Sequence, residues 1–132
     1  MTPHGEAGRV VRTATAAGLG LVAVLHLVAV VDSGTPAWLR VIAAVVAGAA
    51  AAQAVAVVTL DRAAPLLRAA VLCLAAMAGY LLVRFVVAPD ATGGSGGYRT
   101  VWGFVALAVE ATTVRVAVLG VRRAERAAGG QG

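Results

Sequence analysis

The chain has 132 residues, 61% of them hydrophobic and 13% charged, with a mean hydropathy of +0.90. That apolar share is well above the usual content of a soluble domain, and the length holds one domain at most. A net charge of +5 and a pI near 11.1 would suit a nucleic-acid partner, but the basic residues bracket apolar runs instead of forming a patch, which excludes that partner.

In chain order, residues 1–8 read as a short disordered polar tail. Four apolar runs follow, at 14–31, 41–60, 69–88 and 101–121. Each approaches the ~20 residues that cross ~30 Å of hydrocarbon. They predict an all-α membrane protein, a four-transmembrane-helix antiparallel up-down bundle forming a single domain over residues 1–132. The first run is too long for a signal-peptide core, and Asp32-Ser33-Gly34-Thr35-Pro36 follows it instead of a small-residue cleavage site, so it reads as a retained helix. Gly34 and Pro36 predict a turn, with Trp38 as an interfacial anchor. Asp61-Arg62-Ala63-Ala64-Pro65 is a short turn that makes runs two and three neighbours. Gly93, Gly94, Ser95, Gly96 and Gly97 have flexible-linker composition, flanked by Tyr98 and Trp102 as further anchors. The tail after Arg123 reads as disordered.

All eleven basic residues are Arg. Arg9 and Arg12, Arg62 and Arg68, and Arg122, Arg123 and Arg126 fall on one side of the runs, against Arg40 and Arg99 on the other. This asymmetry predicts a multi-pass protein of the bacterial plasma membrane with both termini cytoplasmic. The bilayer is the first partner, with anionic headgroups near Arg115, Arg122, Arg123 and Arg126. Arg115 snorkels toward those headgroups because it lies ~140° around the helix from Glu110.

Small residues recur every four positions at Ala44, Gly48 and Ala52, and again at Ala75 and Gly79, rows that would let helices approach closely. The single cysteine, Cys73, lies inside the third run, so no internal disulfide can form. No phosphate loop, nucleophile elbow or cysteine-rich metal motif is present.

One conspicuous polar residue stands in each run: His26, Gln53, Arg84 and Glu110. Such groups persist in hydrocarbon mostly by facing one another, a cavity or a ligand. Counted from the external ends at 1.5 Å per residue, Arg84 lies ~6 Å deep, His26 ~8 Å, Glu110 ~14 Å and Gln53 ~18 Å. Side chains lean toward their own helix N-terminus, which draws the four heads toward one level. Arg84 and Glu110 are the expected pair, with Tyr80 one turn before Arg84 adding a hydroxyl or a stacked ring. Three readings of the pair stay open: a lock on helix register, a ligand or ion site, and outward snorkelling of Arg84. His26 suits a ligand, a proton carrier or a satisfied core residue. A second metal ligand does not accompany it, and haem or copper would need more His, Met or Cys, so neither metal nor cofactor is expected. Gln53 reads chiefly as helix–helix glue.

Leu25-His26-Leu27-Val28-Ala29, Gly48 followed by Gln53, Tyr80-Leu81-Leu82-Val83-Arg84 running to Pro89, and Ala106-Leu107-Ala108-Val109-Glu110 form an ordered pattern. It resembles a group of uncharacterised small four-helix integral membrane proteins of high-GC Gram-positive bacteria, over about residues 20–120. Some members of that group carry a second His about seven residues after the first, where this chain reads Asp32-Ser33. The resemblance implies fold and location and supplies no activity.

Two functions follow as expectations. The first is a non-enzymatic membrane protein, either an accessory or interaction subunit or a small sensor, with a membrane-protein partner or a second copy of itself. The alternative is a small-molecule or ion-binding, transport-related protein using His26, Arg84 and Glu110. An enzyme ranks third, because no nucleophile or metal cluster accompanies His26 and Glu110.

Overall fold

The computed structural model describes residues 3–60, 62–87 and 98–129. Among the described residues there are four α-helices: α1 Pro3–Val31, α2 Ala37–Thr59, α3 Ala63–Leu82 and α4 Tyr98–Gly129. A π-helical segment, Val83–Val87, continues α3. The fold is all-α. Each helix carries a stretch long and apolar enough to cross a membrane, at Glu6–Val31, Ala37–Thr59, Ala63–Val87 and Val101–Arg126.

The outer helices extend past their apolar runs. α1 is helical from Pro3 and α4 through Gly129, where the sequence predicts disordered tails. Local preference explains the α4 extension and favours the start of α1, although Gly5 and Gly8 work against helix there. A proline suits a first helical position and Glu6 faces the positive end of the helix dipole. Ala124-Glu125-Arg126-Ala127-Ala128 is built from strong helix formers. The expected Gly93–Gly97 linker, Asp61 and the final Gly130-Gln131-Gly132 lie outside the described residues, as do the side chains of Tyr98 and Arg99.

Two turns are ordered by polar contacts. In the α1–α2 connection the Asp32 carboxylate accepts from Gly34 N–H at 3.1 Å and from the Thr35 hydroxyl at 3.1 Å. The Thr35 N–H also donates to the Asp32 carbonyl at 3.0 Å, closing the predicted turn. At the end of α2 the backbone turns extended at Leu60, leaving carbonyls without helical partners. The Arg12 guanidinium reaches across from α1 to take them, donating to Val57 O at 3.2 Å, Leu60 O at 2.6 Å and Arg62 O at 3.0 Å.

Packing is most extensive between α1 and α2 and between α3 and α4, with α1–α4 next. α2 and α3 touch less although the turn joining them is short, and α1 and α3 scarcely meet. The buried stripes keep helical spacing: Val11, Thr15, Leu19 and Val22 on α1, Ala43, Ala47, Ala50 and Val57 on α2. α3 contributes Leu66, Ala69, Ala70 and Cys73; α4 contributes Glu110, Thr113 and Ala117. A central cluster joins Leu19, Val22, Ala50, Val57, Leu66, Ala69 and Cys73.

The small-residue rows expected to carry this packing do not. Ala44, Gly48, Ala52, Ala75 and Gly79 are exposed, and a side chain at Gly48 or Gly79 would meet nothing. The neighbouring row on α2, Ala43-Ala47-Ala50, is the buried one. Close approach is made instead at three other glycines. Gly18 lies against Thr113, Gly103 against the Tyr80 ring, and Gly120 against both Val11 and Leu66.

Candidate functional site

The most deeply buried charged side chain of the described residues is Glu110, in the middle of α4, with 2% of its side chain exposed. It is on the buried stripe of α4, one turn before Thr113, so helical period alone turns it inward. Opposite it on α1 is His26, whose Nε2 stands 3.8 Å from Glu110 Oε1. The imidazole is 20% exposed, so the pair has a closed side and an open one.

His26 is oriented by its own helix. Its Nδ1 lies 2.9 Å from the carbonyl oxygen of Val22, one turn earlier. A carbonyl only accepts, so Nδ1 carries the hydrogen and donates. In neutral imidazole Nε2 then bears the lone pair, and that lone pair faces the carboxyl group. Cys73 of α3 is buried and within electrostatic reach of Glu110. Three helices therefore contribute to one locus.

The structure brings together only part of the sequence-predicted set. His26 and Glu110 meet. Arg84 does not form an ion pair with Glu110; it lies half-buried in the π-helical segment. Register explains the miss. Tyr80 packs at Gly103, seven residues before Glu110, and Arg84 lies four residues beyond Tyr80 in the opposite direction, so roughly 16 Å of helix separates the levels of Arg84 and Glu110. The convergence expected from side-chain lean cannot span that distance. Gln53 is spent elsewhere as well, its amide donating to Pro65 O at 2.7 Å and tying α2 to the first turn of α3. Tyr80 packs its ring on Gly103, and its hydroxyl is buried with no hydrogen-bond partner among the described residues.

Sequence reading assigned no role to Thr15 and Thr113, both buried. Each hydroxyl donates to the carbonyl one turn earlier in its own helix, Thr15 to Val11 at 2.9 Å and Thr113 to Val109 at 2.8 Å. They thus carry polar atoms into the seam without needing a partner across it. Their spacing from His26 and Glu110 on the same helix faces was the available signal. Arg12 was read only as a topology charge, and nothing local marks it as a cap for a helix 45 residues away.

A groove of about 360 Å³ runs between α1 and α4, lined by Ala14, Gly18, Leu21, Val105, Ala108 and neighbouring residues of α4. Neither His26 nor Glu110 lines it. No group of three or more His, Cys, Asp or Glu placed to hold a metal occurs among the described residues. Comparison of the chain with family models, curated proteins and solved structures finds no match.

Proposed function

We propose that the chain is a multi-pass integral membrane protein, an antiparallel up-down bundle with both termini in the cytoplasm of a bacterium, acting as a non-enzymatic accessory subunit or small sensor. Four helices of spanning length and apolarity support insertion. The order of contacts supports the antiparallel arrangement: Val11 with Gly120, Gly18 with Thr113 and His26 with Glu110 advance along α1 while retreating along α4. The observation that carries the functional reading is Glu110, buried directly against His26, with neither residue opening onto the groove beside them. A carboxyl buried this way is set against a neighbouring side chain and does not line the groove between α1 and α4.

The reading is tested in two steps. In a Cys73→Ala background, Ser33→Cys should react with an impermeant thiol reagent on intact cells, while Gly129→Cys should react only after lysis. Labelling at position 129 on intact cells overturns the orientation. Tagged protein extracted in mild detergent should then retain a membrane-protein partner or a second copy. Monomeric protein that carries a bound small organic molecule instead overturns the accessory reading.

A further inference from the structure

We propose that His26 and Glu110 together form a binding site for one exchangeable proton, entered through the imidazole. The inference rests on the membrane-spanning reading above and specifies what the buried pair would sense.

The Val22 carbonyl fixes the hydrogen on Nδ1 in place. Three charge states then remain for the two facing atoms. With no further proton, a lone pair on Nε2 opposes a buried carboxylate 3.8 Å away, and the pair carries a net negative charge. With two protons, a buried imidazolium faces a neutral acid, and the pair is a lone cation. With one proton the pair is neutral, whether the proton rests on Nε2 or on the carboxyl oxygen. An uncompensated charge is strongly penalised in low-dielectric surroundings, which selects the one-proton state. Loading therefore adds one proton from the medium to Nε2 or Oε1, breaks no bond in the protein, and takes the pair from −1 to neutral. The 3.8 Å gap exceeds hydrogen-bond range by about 0.6 Å, a distance that a small rotation of the Glu110 carboxyl closes while Nδ1 keeps its bond to Val22.

Among the described residues, the surroundings supply no rival counter-charge at this point. On α1, no Asp, Glu, Lys or Arg lies between Arg12 and Asp32. From α3 the facing groups are the Cys73 thiol and, further along, the Tyr80 hydroxyl against Gly103, with Arg84 beyond them. α2 presents Gln53, whose amide is committed to Pro65. On α4 the next charged residue is Arg115, which is exposed. The imidazole is the nearer of the two groups to a helix end. Glu110 is enclosed, whereas His26 is partly exposed and stands five residues before the end of α1, ~8 Å of helix.

The test is a pH titration of the full-length chain in lipid bilayers, with ¹⁵N-labelled histidine read by solid-state NMR and the protonated-carboxyl band read by infrared spectroscopy. In the unmodified protein, one proton should be taken up at a single midpoint, appearing either on Nε2 or as a protonated-carboxyl band, while the signal of the other group shifts at that same midpoint and Nδ1 remains protonated. Glu110→Gln should move the His26 midpoint by at least about one pH unit, as for strongly interacting sites. His26→Gln should move the carboxyl midpoint by a similar amount. Independent midpoints in the unmodified chain overturn the proton site even if a variant fails to fold. So does a permanently ionised Glu110 beside a neutral His26. Alkaline carbonate extraction separates this failure from that of the underlying reading. A chain that stays in the membrane while the two groups titrate independently refutes the proton site alone, and a chain released by carbonate refutes the membrane assignment.

Discussion

Tyr80 and Gly103 show how single residues set the spacing of α3 and α4. A methyl group at position 103 would collide with the phenol ring, its hydroxyl oxygen first. Gly103→Ala should therefore destabilise the protein by ~1–3 kcal/mol, as overpacking does. Tyr80→Phe removes a buried hydroxyl that has no hydrogen-bond partner among the described residues, and should be close to neutral or stabilising. Because the hydroxyl is the nearest obstacle, the double variant should lose clearly less than the sum of the two changes. Thermal unfolding in detergent measures all three, and additive losses would show that ring and glycine do not compete for one space. The same scale shows what the sequence discloses about the site. His26 and Glu110 stand out because polar groups in apolar runs are rare, and both belong to the buried pair. Their pairing is not readable from the runs: it depends on helix register, which run ends locate only to within a turn or two, and this misassigned Arg84.

Arg12 is the clearest case at the level of elements. Its guanidinium serves three carbonyls at the α2 end and the following turn, where the helix dipole also favours a cation. Arg12→Ala should cost about 1–2 kcal/mol, the upper range for a cation at a helix C-terminus. Arg12→Lys should restore less than half, since one ammonium cannot reproduce the planar fork. Chemical denaturation measures both variants, and equal stability of Arg12→Ala and the parent would show the contacts to be incidental. Helix faces were harder to read than helix positions. α2 is rich in Ala and Val on every side, so Ala44-Gly48-Ala52 and Ala43-Ala47-Ala50 offer nearly the same small-residue spacing. Periodicity cannot choose between two such rows. Packing does, burying all three residues of the second row and placing Ala50 with Leu19 and Val22 of α1 in the central cluster.

For the whole molecule, helix number and approximate position were legible because the length of an apolar run is a property of the sequence alone. The additional turns at both ends were not: at α4 the charged Glu125 and Arg126 read as tail yet are good helix formers, and at α1 Gly5 and Gly8 give no helical signal. Cys73 reports on the integrity of the assembled bundle, being fully buried within the central cluster. It should resist a bilayer-permeant maleimide in the native state and react only on denaturation in SDS. Arg12→Ala and Gly103→Ala should speed its modification in proportion to their destabilisation. Prompt reaction of the native parent protein would mean that the core opens readily.

Gly120 has a wider reach than its size suggests. Val11 of α1 and Leu66 of α3 both press into the space above its missing side chain. The backbones of those two helices approach each other little, although their side chains meet in the central cluster, so position 120 is a further node through which a displacement of one is felt by the other. Changes at residues 11 and 66 should consequently be energetically coupled although they sit on different interfaces. A bulkier residue at 120 would push α1 and α3 apart together, at the opposite end of α4 from Tyr80 and Gly103. The bundle thus contains a three-way mechanical junction made by the absence of one methyl group.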